Sequence, residues 1–163
     1  MKIVFVDACY WIAIVNPKDS LRKTALKAKE SLGGKVRKIT TDEILVEFLN
    51  FLSDRGYYLR NAAVKMVRAI IADPNVKVLP QSRNSFERGL KLYEERMDKS
   101  YSLTDCISIN TMKAESMTEV LSHDKHFEQE GFAFSHGQGY GGTGQSQSVL
   151  FHPLFYSPPS RGR

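Results

Sequence analysis

Residues 1–15 read MKIVFVDACYWIAIV, and the way this stretch is divided decides the fold. Taken as one apolar run behind Lys2, it resembles a secretion signal. Asp7 opposes that reading. A carboxylate in mid-run is costly in a membrane, no small-x-small cleavage site follows, and the run is too short to span a bilayer. Divided at Asp7, the stretch becomes a buried β-strand over Lys2–Val6, rich in β-branched and aromatic residues, with a charge at its C-terminal end. The expectation is a cytoplasmic protein with no membrane segment.

The chain beyond alternates between helical and extended patterns. Ser20–Leu32 predicts a helix with Leu21, Ala25, Ala28 and Leu32 on one face and Gly33-Gly34 as its stop. Val36–Thr40 predicts a second strand. Thr41–Asp54 predicts a helix striped by Ile44, Leu45, Phe48, Leu49 and Leu52. A helix over Leu59–Ala72 ends at Asp73-Pro74, and Val76–Leu79 predicts a strand. Phe86, Leu90, Tyr93 and Met97 line one face of a further helix. Leu103–Glu115 predicts another, and Glu119–Ser122 a last strand. This alternation implies an α/β domain with a mostly parallel sheet covered by helices.

Composition bounds the rest. With 163 residues, 42% hydrophobic and 25% charged, the chain matches one ordinary globular domain and not a disordered, fibrous or multi-span class. Two cysteines, Cys9 and Cys106, make no disulfide scaffold and suit a reducing compartment. The net charge of +5 favours polyanionic partners weakly. Near Phe132 the composition shifts. Residues 132–163 contain no Asp or Glu, and five glycines fall between Gly137 and Gly144. Residues 1–131 are expected to form the domain, and 132–163 a Gly/Ser/Gln-rich flexible tail.

The acids fall at telling places. Asp7 and Asp124 each directly follow a strand. Either can cap a helix or turn, but in an open α/β sheet the C-terminal strand ends form the ligand crevice. The helix from Thr41 carries Asp42, Glu43 and Glu47. Asp42 suits the helix dipole, and Thr40-x-x-Glu43 matches a capping box. Glu47 has no such local role and lies at the margin of the apolar stripe, so it is favoured over Glu43 for the crevice. Asp105, in YSLTDCISI, opens a strongly apolar helix that Ser102 or Thr104 would cap, and its position suits the dipole as well as a functional role. Four carboxylates converging without cations would repel one another, and among Lys and Arg only Lys125 is a close sequence neighbour. One or two Mg²⁺ or Mn²⁺ ions are the natural counter-charge, and such a site serves in-line phosphodiester attack.

Other constellations are weaker. His123 and His126 flank Asp124 without the further ligands that zinc requires, and read as rim or loop residues. Cys9 and Cys106 read as small buried hydrophobes. No P-loop and no G-x-G-x-x-G after a strand is present, so no nucleotide cofactor is indicated. Lys18, Arg22, Lys23, Lys27 and Lys29 give one helix a basic side. Arg55, Tyr57, Tyr58 and Arg60 interleave bases with aromatics, and Lys99 and Tyr101 precede Asp105. Together they offer a rim for a phosphate backbone.

These motifs, IVFVDACYWIA, TTDEILVEFLNFL, YSLTDCISI and VLSHDKHF in that order, resemble the PIN-domain ribonucleases, especially the toxin subunits of VapBC-type toxin–antitoxin pairs. The resemblance covers about residues 2–131. It implies a three-layer α/β/α fold and metal-dependent endonucleolytic cleavage of RNA, leaving a 5′-phosphate and a 3′-hydroxyl. It places Asp7, Glu47, Asp105 and Asp124 in the acidic metal site and gives Thr104 as the polar residue supporting the third acid. It also implies frequent homodimers and inhibition by a cognate antitoxin. Ala8 and Cys9 stand where the family often has a small hydroxyl residue.

Two other readings stay open. A phosphohydrolase with an Asp nucleophile after strand one would want a second Asp two residues on, where Cys9 stands. A catalytically inactive PIN-like domain that binds RNA or protein would have no need of all four acids.

Overall fold

The computed structural model describes residues 1–135, so the expectation for residues 136–163 lies outside it. Five strands form one sheet: β1 (Lys2–Val6), β2 (Val36–Thr41), β3 (Val76–Leu79), β4 (Glu119–Leu121) and β5 (Ala133–Phe134). Their order is β3-β2-β1-β4-β5 and every pairing is parallel. β1 lies at the centre, and Val4, Phe5 and Val6 are wholly buried because both sheet faces are covered.

Seven helices fill the connections: α1 (Ala8–Val15), α2 (Arg22–Leu32), α3 (Asp42–Leu52), α4 (Gly56–Ala72), α5 (Arg83–Glu95), α6 (Leu103–Ala114) and α7 (Lys125–Gln129). Right-handed crossovers fix their layers. The chain steps β1 to β2 to β3 in one direction, which places α1–α4 on one face. It then returns to β4 and β5, which places α5–α7 on the other. The reversal falls between β1 and β4, the position where open α/β sheets open a crevice at the C-terminal strand ends. β1 and β4 run in register there, Val6 opposite Leu121, and Asp7 N–H donates to Leu121 C=O at 3.2 Å.

Several local readings change. Thr40 makes no capping box with Glu43: its hydroxyl is buried and donates to Val6 C=O at 2.9 Å, tying β2 to β1, while Thr41 Oγ1 caps α3 by accepting from Ile44 N–H. The strand after Asp124 was absent from the sequence reading. Residues 132–135 join the sheet, with Phe132 and Ser135 buried and Ala133–Phe134 paired to Glu119–Val120. On α5 the apolar face of Leu90 and Tyr93, with Met97 beyond its end, is exposed. Ser85, Gly89 and Leu92 sit on the other face, and a Cβ on Gly89 would collide with the Ile107 side chain of α6. Gly89 lets those two helices approach, and Leu90, Tyr93 and Met97 are left outside.

Among the described residues, no helix is long and apolar enough to cross a membrane.

Candidate metal centre

The four acids named above arrive at one rim from four elements. Asp7 ends β1 at the N-terminus of α1, Glu47 lies in the second turn of α3, Asp105 in the first turn of α6, and Asp124 caps α7 after β4. They stand close enough for their charges to act on one another. Glu47 has its pKa pushed up to about 8, first by burial and then by the charges of Asp7, Asp105 and Asp124. Asp7, which is 7% exposed, is pushed up to about 6 by burial, with the Asp105 charge adding to it. Asp124 is raised by burial and then by Asp105. Glu43 lies elsewhere. It accepts from Ser85 Oγ at 3.2 Å and lines a groove toward α5 with Ser82 and Ile107.

Each acid is oriented by neighbours. Asp7 does not cap α1 with its side chain. Its Oδ2 accepts instead from Ser122 Oγ at 2.8 Å and from the Cys9 thiol at 3.1 Å. Ser122, fully buried, also accepts from Asp124 N–H at 3.0 Å, so one hydroxyl couples two of the acids. Burial and the Asp7 charge raise the Cys9 pKa well above its ordinary value, so Cys9 serves as a thiol donor in the place of a hydroxyl. Asp105 forms a reciprocal cap with Ser102: its carboxylate accepts from Ser102 N–H at 2.7 Å and its N–H donates to Ser102 Oγ at 3.0 Å. Thr104, half-buried beside it, is not the partner in that cap.

His126 joins the cluster rather than the surface rim. Its Nδ1 lies 3.2 Å from Asp105 Oδ2 and 3.1 Å from Asp124 Oδ1. The hydrogen bond to Asp105 raises its pKa against the opposing effect of burial, and the Asp124 charge adds to the rise. Tyr101 is likewise buried, edge-on to the His126 ring at 4.9 Å, and so is removed from the rim residues offered to RNA. Tyr57 and Tyr58 are exposed, and the Arg55 guanidinium lies 4.1 Å over the Phe51 ring.

Sequence reasoning passes over Ser122 and reads His126 as a rim or loop residue. Ser122 carried one signal, a hydroxyl at the end of an apolar strand two residues before an acid. His126 carried only its spacing from Asp124.

The donor set suits a hard divalent cation. Glu47 without added positive charge holds a proton at neutral pH, which a half-buried carboxylate does when its neighbours are also anionic. Asp105, Asp124 and His126 offer ligand atoms within 4.8 Å of one another. Oxygen-rich sets of this kind take Mg²⁺ or Mn²⁺.

No curated protein sequence matches the chain. Among solved structures, the crystal structure of Mycobacterium tuberculosis VapC20, a sarcin–ricin loop cleaving toxin, matches with a TM-score of 0.72 and 24% identity over 80% of this chain and 96% of that one. That likeness concerns the fold. The PIN domain family model matches residues 4–132, from within β1 to the approach to β5, and therefore takes in every acid of the cluster. On that match the chain belongs to the PIN domain family.

Proposed function

We propose that the protein is a metal-dependent endoribonuclease and the toxin of a toxin–antitoxin pair. The observation that carries this reading is the arrival of four carboxylates, Asp7, Glu47, Asp105 and Asp124, from four elements at the switch point of the sheet. A carboxylate cluster left without its own cations is poised to bind Mg²⁺ or Mn²⁺.

Asp7, Glu47, Asp105 and Asp124 would hold the ion. A bound divalent cation supplies charge neutralisation at the attacked phosphodiester and a water of lowered pKa. Ser122 and Cys9 hold the Asp7 carboxylate in one orientation, and Ser102 holds that of Asp105. Burial of this hydrogen-bonded shell keeps the acids in place while the substrate phosphate enters from the open rim. Thr104 lies beside Asp105 and is assigned a supporting role. The exposed aromatic and basic residues at the start of α4, with Lys18, Lys23, Lys27 and Lys29, are assigned to the RNA backbone. The products assigned are a 5′-phosphate and a 3′-hydroxyl.

RNA as substrate is supported by the PIN match and by the structural neighbour, itself a sarcin–ricin loop cleaving toxin. A cognate antitoxin and a homodimer are part of the same reading, and so is a cytoplasmic location. Val64 and Ile71, exposed further along α4, offer apolar surface for such contacts.

The test is cleavage of a mixed RNA pool with Mn²⁺, with EDTA, and by Asp7→Asn. Cuts that need both the metal and Asp7 are expected. Intact RNA under every condition, with no acid-dependent metal binding, would instead establish the catalytically inactive RNA- or protein-binding domain.

A further inference from the structure

We propose that His126 is itself a ligand of the cation, making the site a mixed nitrogen–oxygen centre that binds Mn²⁺ in preference to Mg²⁺. This rests on the metal-centre reading above and adds to it a nitrogen donor from α7.

The geometry carries it. Nδ1 lies 3.2 Å from Asp105 Oδ2 and 3.1 Å from Asp124 Oδ1. An octahedral ion with bonds of about 2.1 Å keeps adjacent ligand atoms about 3 Å apart, so Nδ1 already stands at the spacing of a neighbouring vertex from each of the two carboxylate oxygens, and the ligand atoms of the three residues all lie within 4.8 Å of one another. They come from two separate elements. Asp105 sits on α6, whereas Asp124 and His126 open α7. His126 N–H donates to Asp124 Oδ1 at 2.9 Å, which fixes the residue relative to that acid.

The ring is also held from behind. Nε2 lies 3.3 Å from Ser100 Oγ, and Tyr101 packs edge-on at an interplanar angle of 61°. Metal-bound histidines commonly donate the second ring N–H to an oxygen, which fixes tautomer and orientation. With Ser100 accepting from Nε2–H, a cation that replaces the proton Nδ1 shares with the two carboxylates would meet the Nδ1 lone pair between them. Tyr101 is in turn anchored, its hydroxyl donating to Glu130 Oε1 at 3.0 Å. The His126 side chain is 21% exposed. A nitrogen donor in the ligand set disfavours Mg²⁺, a strict oxygen seeker, more than Mn²⁺.

The experiment is pulsed electron paramagnetic resonance of Mn²⁺ bound to the full-length protein at pH 8, with Mn²⁺ and Mg²⁺ affinities measured alongside by titration and competition. The wild-type spectrum is expected to show a directly bonded ¹⁴N, altered by ¹⁵N-histidine labelling and lost in His126→Gln. The variant is expected to lose about tenfold or more in Mn²⁺ affinity, with a smaller change for Mg²⁺. Bound Mn²⁺ with an all-oxygen shell in the wild type overturns the proposal without any variant and leaves the nuclease reading standing. A nitrogen signal that persists in His126→Gln also overturns it. No Mn²⁺ binding sensitive to Asp7→Asn removes both this inference and the metal-centre reading.

Discussion

Glu130 and Glu47 are carboxylates withdrawn from water in opposite company. Glu130, with a side chain 7% exposed, takes Lys113 Nζ at 2.8 Å on one oxygen and an ion pair with Arg96 on the other, where the Tyr101 hydroxyl also donates. Burial alone would raise its pKa, but the hydrogen bonds of Lys113 and Tyr101 and the charges of Lys113 and Arg96 hold it below the usual range. Glu47 is raised to about 8 by burial and by three anionic neighbours. The chain thus supplies its own cations where a carboxylate serves structure. At the β1/β4 rim it supplies four acids and one imidazole. That contrast is the physical case for an ion from outside.

The largest expected effect comes from removing the charge of Glu47. Glu47→Gln is expected to lower RNA cleavage by about a hundredfold or more, since a metal ion contributes several kcal/mol of charge stabilisation and loses a ligand. Stability should move the other way. A carboxyl whose folded pKa is raised contributes stability below its unfolded pKa, here 4.5, and loses it as pH rises through the folded value near 8. The raised pKa of His126 acts in the same direction. In EDTA the wild type is therefore expected to lose on the order of 2–4 kcal/mol between pH 4.5 and 8 from Glu47. Glu47→Gln should flatten most of that slope in denaturant unfolding, and Mn²⁺ should restore wild-type stability more at pH 8 than at pH 5. A wild-type slope unchanged by the substitution would break the contrast with Glu130.

Glu130→Gln is expected to do the reverse. It removes the anion that Arg96 and Lys113 share, at a cost of about 1 kcal/mol, small because both cations keep access to water. Cleavage per folded molecule should change little. A loss of cleavage as large as that of Glu47→Gln would mean that the Glu130 network governs the site through Tyr101 and His126.

Legibility followed the range of the physics. Lys2–Val6 and Val76–Leu79 stand as strands at the bounds their composition indicates, β1 because a central strand needs apolar residues on both faces and β3, at the sheet edge, because Val76 and Val78 alternate with the exposed Lys77. The α3 stripe placed Glu47 at its margin, and the fold turns that margin toward Asp7. Three features were hidden for one reason, that tertiary partners decide them. β5 is two residues long and exists through its pairing with Glu119 and Val120. The packed face of α5 centres on Gly89 because the Ile107 side chain approaches there, which periodicity of large apolar residues cannot reveal. Ser122 and His126 act through Asp7 and Asp105, residues 115 and 21 positions away.

The smallest expected effect, and the sharpest on residue assignment, is that of Glu43→Gln. Glu43 and Glu47 are one turn apart on α3, both half-buried, and sequence alone separates them only by the helix-start role open to Glu43. Glu43 accepts from Ser85 Oγ on the α5 side. A glutamine oxygen can accept the same bond, so the change costs only the interaction of a first-turn charge with the helix dipole, about 0.5 kcal/mol. Thermal unfolding should register that small loss, and Mn²⁺ affinity and RNA cleavage should stay at wild-type values. Abolished cleavage in Glu43→Gln beside a silent Glu47→Gln would transfer the metal role to Glu43. The raised pKa of Glu47 would then reflect burial near an acidic rim and not membership of the ligand set.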